Sequence, residues 1–418
     1  MSQDKIKVLT LGDHPLAPSG VGIQTKMFVE SILDTGKYVV TSLAGAAKTT
    51  DFTPLKTEKH GEDWKIFPVD GYGSPEIVRS IMRTEKPDIV WFMTDPRYWT
   101  WLWQLEDEIR PLAPMVYYHV WDNYPPPLYN KKFYESNDAI VTISKLTSEV
   151  VKEVSPDVKQ LRIPHSVDAE VFKPLPADEV AKFRQAHMED DGRVLFFWNN
   201  RNARRKHPTT LLWWFKEFAE EVGEENVGLL IHTDPKDPVG SDIETNLRHM
   251  GFNNGQIMIS ALKYPPDRMA LLYNMADCTI NISDAEGFGL STLESLSCGT
   301  PIIVSMTGGL QEQVTDGEQW FGVGIEPSST VVIGSQAVPY INEDRISKED
   351  FLSALRKVYN MKSEERSAMG EAGRQYVNKN YNQEATTKQW DDLLTELYSQ
   401  RGAWENSKHR NWELLEVV

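Results

Sequence analysis

The hydrophobic period of the chain changes twice within one short stretch, and few architectures accept that change. Cys278-Thr279-Ile280-Asn281-Ile282 reads as a buried strand, and Asp284-Ala285-Glu286-Gly287-Phe288-Gly289 breaks it with two glycines. From Leu290 the apolar positions become helical, with Leu290, Leu293 and Leu296 on one face, and a second buried strand follows at 301–304. Strand, glycine turn, helix and strand at this spacing belong to a parallel α/β sheet.

The turn has a chemical use. Amides of 287–291 at a helix N-terminus point at an anion or at hydroxyls. Glu286 stands at the mouth of the turn, and Glu294 lies further along the helix. Two carboxylates are poor partners for a phosphate but good acceptors for sugar hydroxyls. An ordinary βαβ turn with two solvated glutamates is the plainer alternative.

The same alternation runs through the whole chain. Ile6–Gly12 reads as a first strand, followed by Gly20 and Gly22 at the start of a helix, where backbone can approach a ligand. Strands are expected at Val39-Val40, Ile66-Phe67, 88–93, 114–119 and 139–144, with helices at 75–85 and 145–153 and one carrying Trp99, Trp101 and Trp103. The strand 114–119 ends in His119 and runs into Trp121, Asp122, Asn123 and Tyr124, a polar and aromatic group at the carboxyl end of a strand, where such sheets bind ligands.

After a proline-containing hinge at 174–176, strand 194–198 leads to Asn199-Asn200-Arg201-Asn202-Ala203-Arg204-Arg205-Lys206 and a helix at 208–222. Such a concentrated positive loop at a helix start suits a diphosphate. Further strands are expected at 227–232 and 257–262, an inserted hairpin at 328–336 turning at Gly334-Ser335, and a final helix at 382–400 with Trp390, Leu393, Leu394 and Leu397 in one stripe.

Composition narrows the partners. Forty-four Lys and Arg against 61 Asp and Glu give a net charge of −17. That disfavours a broad basic face for nucleic acid or anionic membrane, though not a local patch. No apolar run nears the roughly 20 residues of a membrane span. Two cysteines and a polar N-terminus without a signal-peptide core fit a cytoplasmic location. No Asp-x-Asp and no His/Cys ligand spacing points to a metal.

The run Glu286-Gly287-Phe288-Gly289-Leu290…Leu293-Glu294…Cys298-Gly299-Thr300-Pro301 resembles the Glu-x7-Glu signature of retaining glycosyltransferases of the GT-B fold, most like family 4. Arg201 and Lys206 match that family's Arg-x4-Lys pair, with Asn199-Asn200 in place of its preceding glycine. Ile163-Pro164-His165-Ser166-Val167-Asp168 resembles its passage between domains, and Gly308-Gly309 its "GG" turn. The resemblance implies two Rossmann-like doubly wound domains facing across a cleft, at 1–172 (acceptor) and 173–381 (nucleotide sugar). It also implies a C-terminal helix, within 382–418, crossing back to the first domain.

The resemblance further implies a retaining, metal-independent transfer from a nucleotide-diphosphate sugar, such as a UDP- or GDP-sugar, with no other cofactor. The acceptor would be a sugar, a lipid-linked molecule or a small molecule. Arg201 and Lys206 would stabilise the leaving diphosphate, Glu286 would hold the donor sugar, and Glu294 would bind ribose. Gly20, Gly22, Gly287, Phe288, Gly289 and Leu290 would line the donor site, Ser260 and Leu262 would meet the base, and His119 would lie near the sugar's primary hydroxyl. The rival readings are a nucleotide-sugar epimerase of the same fold, a non-catalytic descendant, and a glycosyltransferase acting on a modified base in DNA, which the net charge disfavours.

Overall fold

A computed structural model describes residues 5–47, 51–188, 192–251 and 255–404. The part of the tail from 405 onward lies outside them.

Two sheets organise the described residues. The first contains β1 (Ile6–Asp13), β2 (Tyr38–Gly45), β3 (Leu55–Lys56), β4 (Trp64–Pro68), β5 (Ile89–Met93), β6 (Met115–His119), β7 (Ala139–Thr142) and β8 (Gln160–Arg162). Their order is β3-β4-β2-β1-β5-β6-β7-β8, parallel except for the short edge strand β3. The second contains β9 (Val194–Asn199), β10 (Val227–His232), β11 (Ile257–Ser260), β12 (Cys278–Asn281), β13 (Ile302–Ser305) and β14 (Gly322–Ile325). It runs β11-β10-β9-β12-β13-β14 and is parallel throughout.

Helices cover both faces of each sheet, which explains why the strands read as continuous apolar runs. The period-2 alternation sorts their side chains. Trp91 and Met93 enter one core while Val90 and Phe92 enter another. Leu195 and Phe197 likewise part from Phe196 and Trp198. One of these cores passes between the two sheets, taking in Phe172, Phe288, Leu293 and the stripe Trp390, Leu393, Leu394 and Leu397.

That stripe belongs to the helix Gln383–Ser399, which returns to the first domain as expected. The Trp390 ring sits 4.8 Å from Phe28 and 5.1 Å from Tyr118, centroid to centroid. Asp391 accepts from the Tyr38 hydroxyl at 2.7 Å. No helix among the described residues is long and apolar enough to cross a membrane.

Two local expectations change. The helix expected to carry Trp99, Trp101 and Trp103 is broken into short turns, Pro96–Tyr98, Thr100–Trp103 and Glu106–Ile109, where the backbone leaves helical geometry at Trp99 (φ −111°, ψ 4°) and at Leu105 (φ −95°, ψ 7°). The inserted hairpin is longer than expected: β15 (Ser329–Ile333) pairs antiparallel with β16 (Ile341–Arg345), so the chain returns at Ile341 and not directly after Ser335. The pair Val338-Pro339 keeps the intervening residues out of the ladder, since proline has no amide to donate.

Candidate active site

In an open parallel sheet the loops on either side of the point where strand order reverses diverge and leave a crevice at the carboxyl ends. In the second sheet that point lies between β9 and β12, which are direct neighbours. The basic loop leaves β9 and the glycine turn leaves β12, so segments 80 residues apart in sequence meet by topology. The Asp284 amide donates to the Arg205 carbonyl at 2.9 Å. Beside that contact the Lys206 ammonium is ion-paired to the Glu286 carboxylate. Lys206 is buried, and burial, with Arg205 adding to it, pushes its pKa well below that of an ordinary lysine.

The local sequence dictates both shapes. Gly289 caps the helix Leu290–Ser297 at φ +93°, a conformation that a side chain strains. Gly308 is required by proximity, because a Cβ there would lie 1.9 Å from the Glu286 carbonyl oxygen. That carbonyl instead accepts from the Gly309 amide at 2.9 Å, which pins the glycine turn from below.

The first sheet reverses order between β1 and β5, and the glycine loop after β1 opens at that point. Gly20 begins the helix Gly20–Asp34 and faces Leu290 closely enough that a Cβ would sit 3.3 Å from Leu290 Cδ1. The Gly22 amide is used at home, donating to Ser19 Oγ at 3.0 Å. Asp122, after β6, approaches the Arg205 guanidinium at 3.8 Å.

The hairpin closes this arrangement from one side. Asp284, only 2% exposed, is held by His207 and Arg345, and Arg345 also pairs with Glu343 at 2.7 Å. Glu343 in turn pairs with Arg204. Asp344 accepts from Thr307 Oγ1 at 2.8 Å and from Asn123 Nδ2, across the cleft, at 2.9 Å. The Tyr129 hydroxyl reaches the Tyr340 carbonyl at 2.9 Å, a second tie to the first domain.

Of the residues singled out in the sequence, Lys206, Glu286, Gly287, Gly289, Leu290 and Gly20 come together. Arg201 is turned outward and grips Asp237 in a bidentate pair at 2.7 and 3.2 Å. The Phe288 side chain packs inward against His165 and Tyr381, leaving only its backbone to the turn. Glu294 accepts from the Tyr273 hydroxyl at 2.7 Å. It keeps part of its surface exposed, yet protein packed around the carboxylate pushes its pKa up to about 7. Ser260 ends β11, where its hydroxyl meets His232 Nδ1 at 2.9 Å, and Leu262 is exposed just beyond.

His119 lies wholly inside the first domain. The Tyr117 hydroxyl donates to the Thr94 carbonyl at 2.7 Å, so its oxygen accepts from His119 Nδ1 at 3.0 Å; Nε2 then accepts from the Tyr134 hydroxyl at 2.6 Å. Both ring nitrogens are satisfied in the neutral form, and burial pushes the pKa down to about 3.

Sequence reasoning missed Asn199, Tyr273, Arg205, His207 and the hairpin's Glu343, Asp344 and Arg345. Arg205 lay inside the flagged basic loop and His207 directly follows it, so a finer reading of that stretch would have included them. The hairpin residues carry no local signal, because their role depends on where the insertion lands. Among the described residues, no group of three or more His, Cys, Asp or Glu is placed to hold a metal ion.

Two Rossmann-like domains facing across a cleft, with a returning C-terminal helix, define a GT-B fold. Sucrose-phosphate synthase from Thermosynechococcus elongatus superposes with a TM-score of 0.76 at 17% identity, over 94% of this chain and 100% of that one. HepE from Anabaena, in complex with UDP and glucose, superposes with 0.69 at 14% identity, over 94% and 100%. Residues 179–376 match the family model of glycosyl transferases group 1. D-inositol 3-phosphate glycosyltransferase of Acidothermus cellulolyticus is 31% identical over 159 residues, 37% of this chain and 35% of that protein. N-acetyl-alpha-D-glucosaminyl L-malate synthase of Bacillus anthracis is 22% identical over 227 residues, 54% and 56% of the two chains. The chain thus spans about a third of the length of the first of these relatives.

Proposed function

We propose that the protein is a retaining glycosyltransferase that moves a sugar from a nucleotide-diphosphate sugar to an acceptor hydroxyl. The observation that carries this reading is the meeting of Lys206 with Glu286 at the switch point of the second sheet, opposite the Gly20 loop of the first. A cation for a phosphate and a carboxylate for a sugar stand side by side there.

In this reading the ligand parts the pair. The Lys206 ammonium turns to the diphosphate, and Arg201, released from Asp237, joins it. Glu286 accepts from hydroxyls of the donor sugar and stabilises positive charge growing at the anomeric carbon. That carbon loses its bond to the phosphate oxygen and gains one to the acceptor oxygen on the same face, while the acceptor proton passes to the departing phosphate. Charge held in place for the leaving group is the largest expected term, on the order of 2–4 kcal/mol per donor. A double displacement between two carboxylates is not assigned, because Glu294 is given to ribose. His119, enclosed and neutral, supports the end of β6 and takes no part in the chemistry.

HepE, solved with UDP-glucose, supports the donor class, and the name of the curated relative D-inositol 3-phosphate glycosyltransferase supports glycosyl transfer. The test is a thermal-shift screen against UDP, GDP, ADP and their sugars, followed by incubation with the stabilising donor with and without candidate acceptors. Acceptor-dependent product of unchanged anomeric configuration, formed equally with chelator present, is expected. A new sugar formed from donor alone would mean an epimerase and overturn the reading.

A further inference from the structure

We propose that Tyr273 is a positioning residue for nucleotide recognition, and that Asn199 aims its hydroxyl so that Glu294 presents one free carboxylate oxygen to the ribose. This rests on the reading above, in which Glu294 binds ribose hydroxyls.

Three groups form a line. Asn199 Nδ2 lies 2.7 Å from the Tyr273 hydroxyl oxygen, and that oxygen lies 2.7 Å from Glu294 Oε2. The line has a direction. A phenol has one proton, and an amide nitrogen only donates. With Asn199 donating to the oxygen, the Tyr273 proton goes to Glu294. Oε2 is thereby occupied and Oε1 remains for a ligand's hydroxyls.

Tyr273 is held firmly enough to do this. It is fully buried on the helix Pro266–Met275, its ring is 5.1 Å from Phe197 and 6.1 Å from Phe172, and its carbonyl accepts from Thr300 Oγ1 at 2.8 Å. Because the ring is fixed on both sides, the hydroxyl has one position. A donor fixed before binding lowers the ordering cost that recognition otherwise carries.

Asn199 gives the line its second meaning. It is the last residue of β9, and the basic loop with Lys206 starts beyond it. The line therefore joins the strand that supports the diphosphate loop to the helix that carries the ribose carboxylate. The two ends of one nucleotide would be gripped by elements whose spacing is set through the Tyr273 hydroxyl.

Tyr273→Phe removes one oxygen and keeps the ring, so packing is preserved. The experiment is calorimetric titration of the wild type, Tyr273→Phe and Glu294→Gln with UDP and GDP and with their 2′-deoxy forms, alongside thermal melts. The expected result is a loss of about tenfold in affinity for the ribonucleotide on Tyr273→Phe, the size of one hydrogen bond to a charged group. For the 2′-deoxy probe that loss shrinks, because one of the two ribose hydroxyls that Glu294 receives is gone. In steady state the loss appears in the donor KM with kcat largely kept. Asn199→Asp, whose carboxylate draws the phenol proton away from Glu294, reproduces the ribonucleotide defect.

If Glu294→Gln weakens binding and Tyr273→Phe lowers only the melting temperature, the residue is structural and the proposal falls while the ribose reading stands. An equal loss for ribo and deoxy probes also overturns it. If Glu294→Gln leaves affinity unchanged, or the wild type binds neither diphosphate, the ribose reading itself fails and the proposal with it.

Discussion

Asn123 in the first domain donates its side-chain amide to Asp344 of the inserted hairpin at 2.9 Å, across the cleft between the two sheets. Asp344 also receives Thr307 Oγ1 at 2.8 Å and Thr330 Oγ1 at 2.9 Å, so one carboxylate ties the hairpin, the second domain and the first. Asp344→Ala leaves those donors without their charged acceptor and is expected to cost about 2 kcal/mol. Urea melts of the variant check this. Asn123→Ala should cost less, since Asp344 keeps its two threonine donors.

Lys206→Met is expected to cut turnover by about a hundredfold or more with the fold kept, since it deletes the cation assigned to the leaving diphosphate. Steady-state kinetics and circular dichroism together measure it. Arg205→Met should be milder, because its guanidinium is held by the Ala285 carbonyl and Asp122 at the edge of the same loop.

Nucleotide affinity is expected to rise with pH through about 7. The Glu294 carboxyl is held up to about that value by burial. Hydroxyls that donate to it favour its ionised form, so binding releases a proton and is weaker where the group starts protonated. Calorimetry in buffers of different ionisation heat reads the released proton, and Glu294→Gln should flatten the profile.

Stability should fall as the solution is acidified below pH 6.5. His119 and His165 are both held down to about 3 by burial, whereas in the unfolded chain they titrate near 6.5. Between those values the unfolded state binds more protons, so folding stability rises with pH across that window. Glu294 acts oppositely between its unfolded value and 7, with the folded state binding more protons, so stability drops as pH rises there. Two histidines outweigh one glutamate where the windows overlap. Urea midpoints at pH 5 and 6.5 give the sign, and His119→Asn should reduce the slope while disturbing the Tyr117 and Tyr134 hydroxyls.

Much of the fold was legible because it is written in local periods. The helix at 208–222 and the strand at 227–232 fall where the hydrophobic pattern placed them. The glycine turn at 287–289 was legible for a related reason: Gly289 adopts a backbone angle that few other residues tolerate, so the composition itself reports the geometry. The stripe of Trp390, Leu393, Leu394 and Leu397 likewise announced a helix needing a surface to cover, and the first domain supplies it.

Other features depended on three dimensions. Residue type marks Arg201 and His119 as candidates, but does not show that Asp237 pairs with the first or that tyrosine hydroxyls enclose the second. Tyr273 looks like any apolar helix residue until its hydroxyl is found between Asn199 and Glu294. Most elements, the parallel winding and the positions of the two main motifs could be read from local periods, because each is set by neighbours along the chain. Which charges face one another was visible in three dimensions alone, since burial and ion pairing are settled by strand order and by where an insertion packs, and neither leaves a local trace.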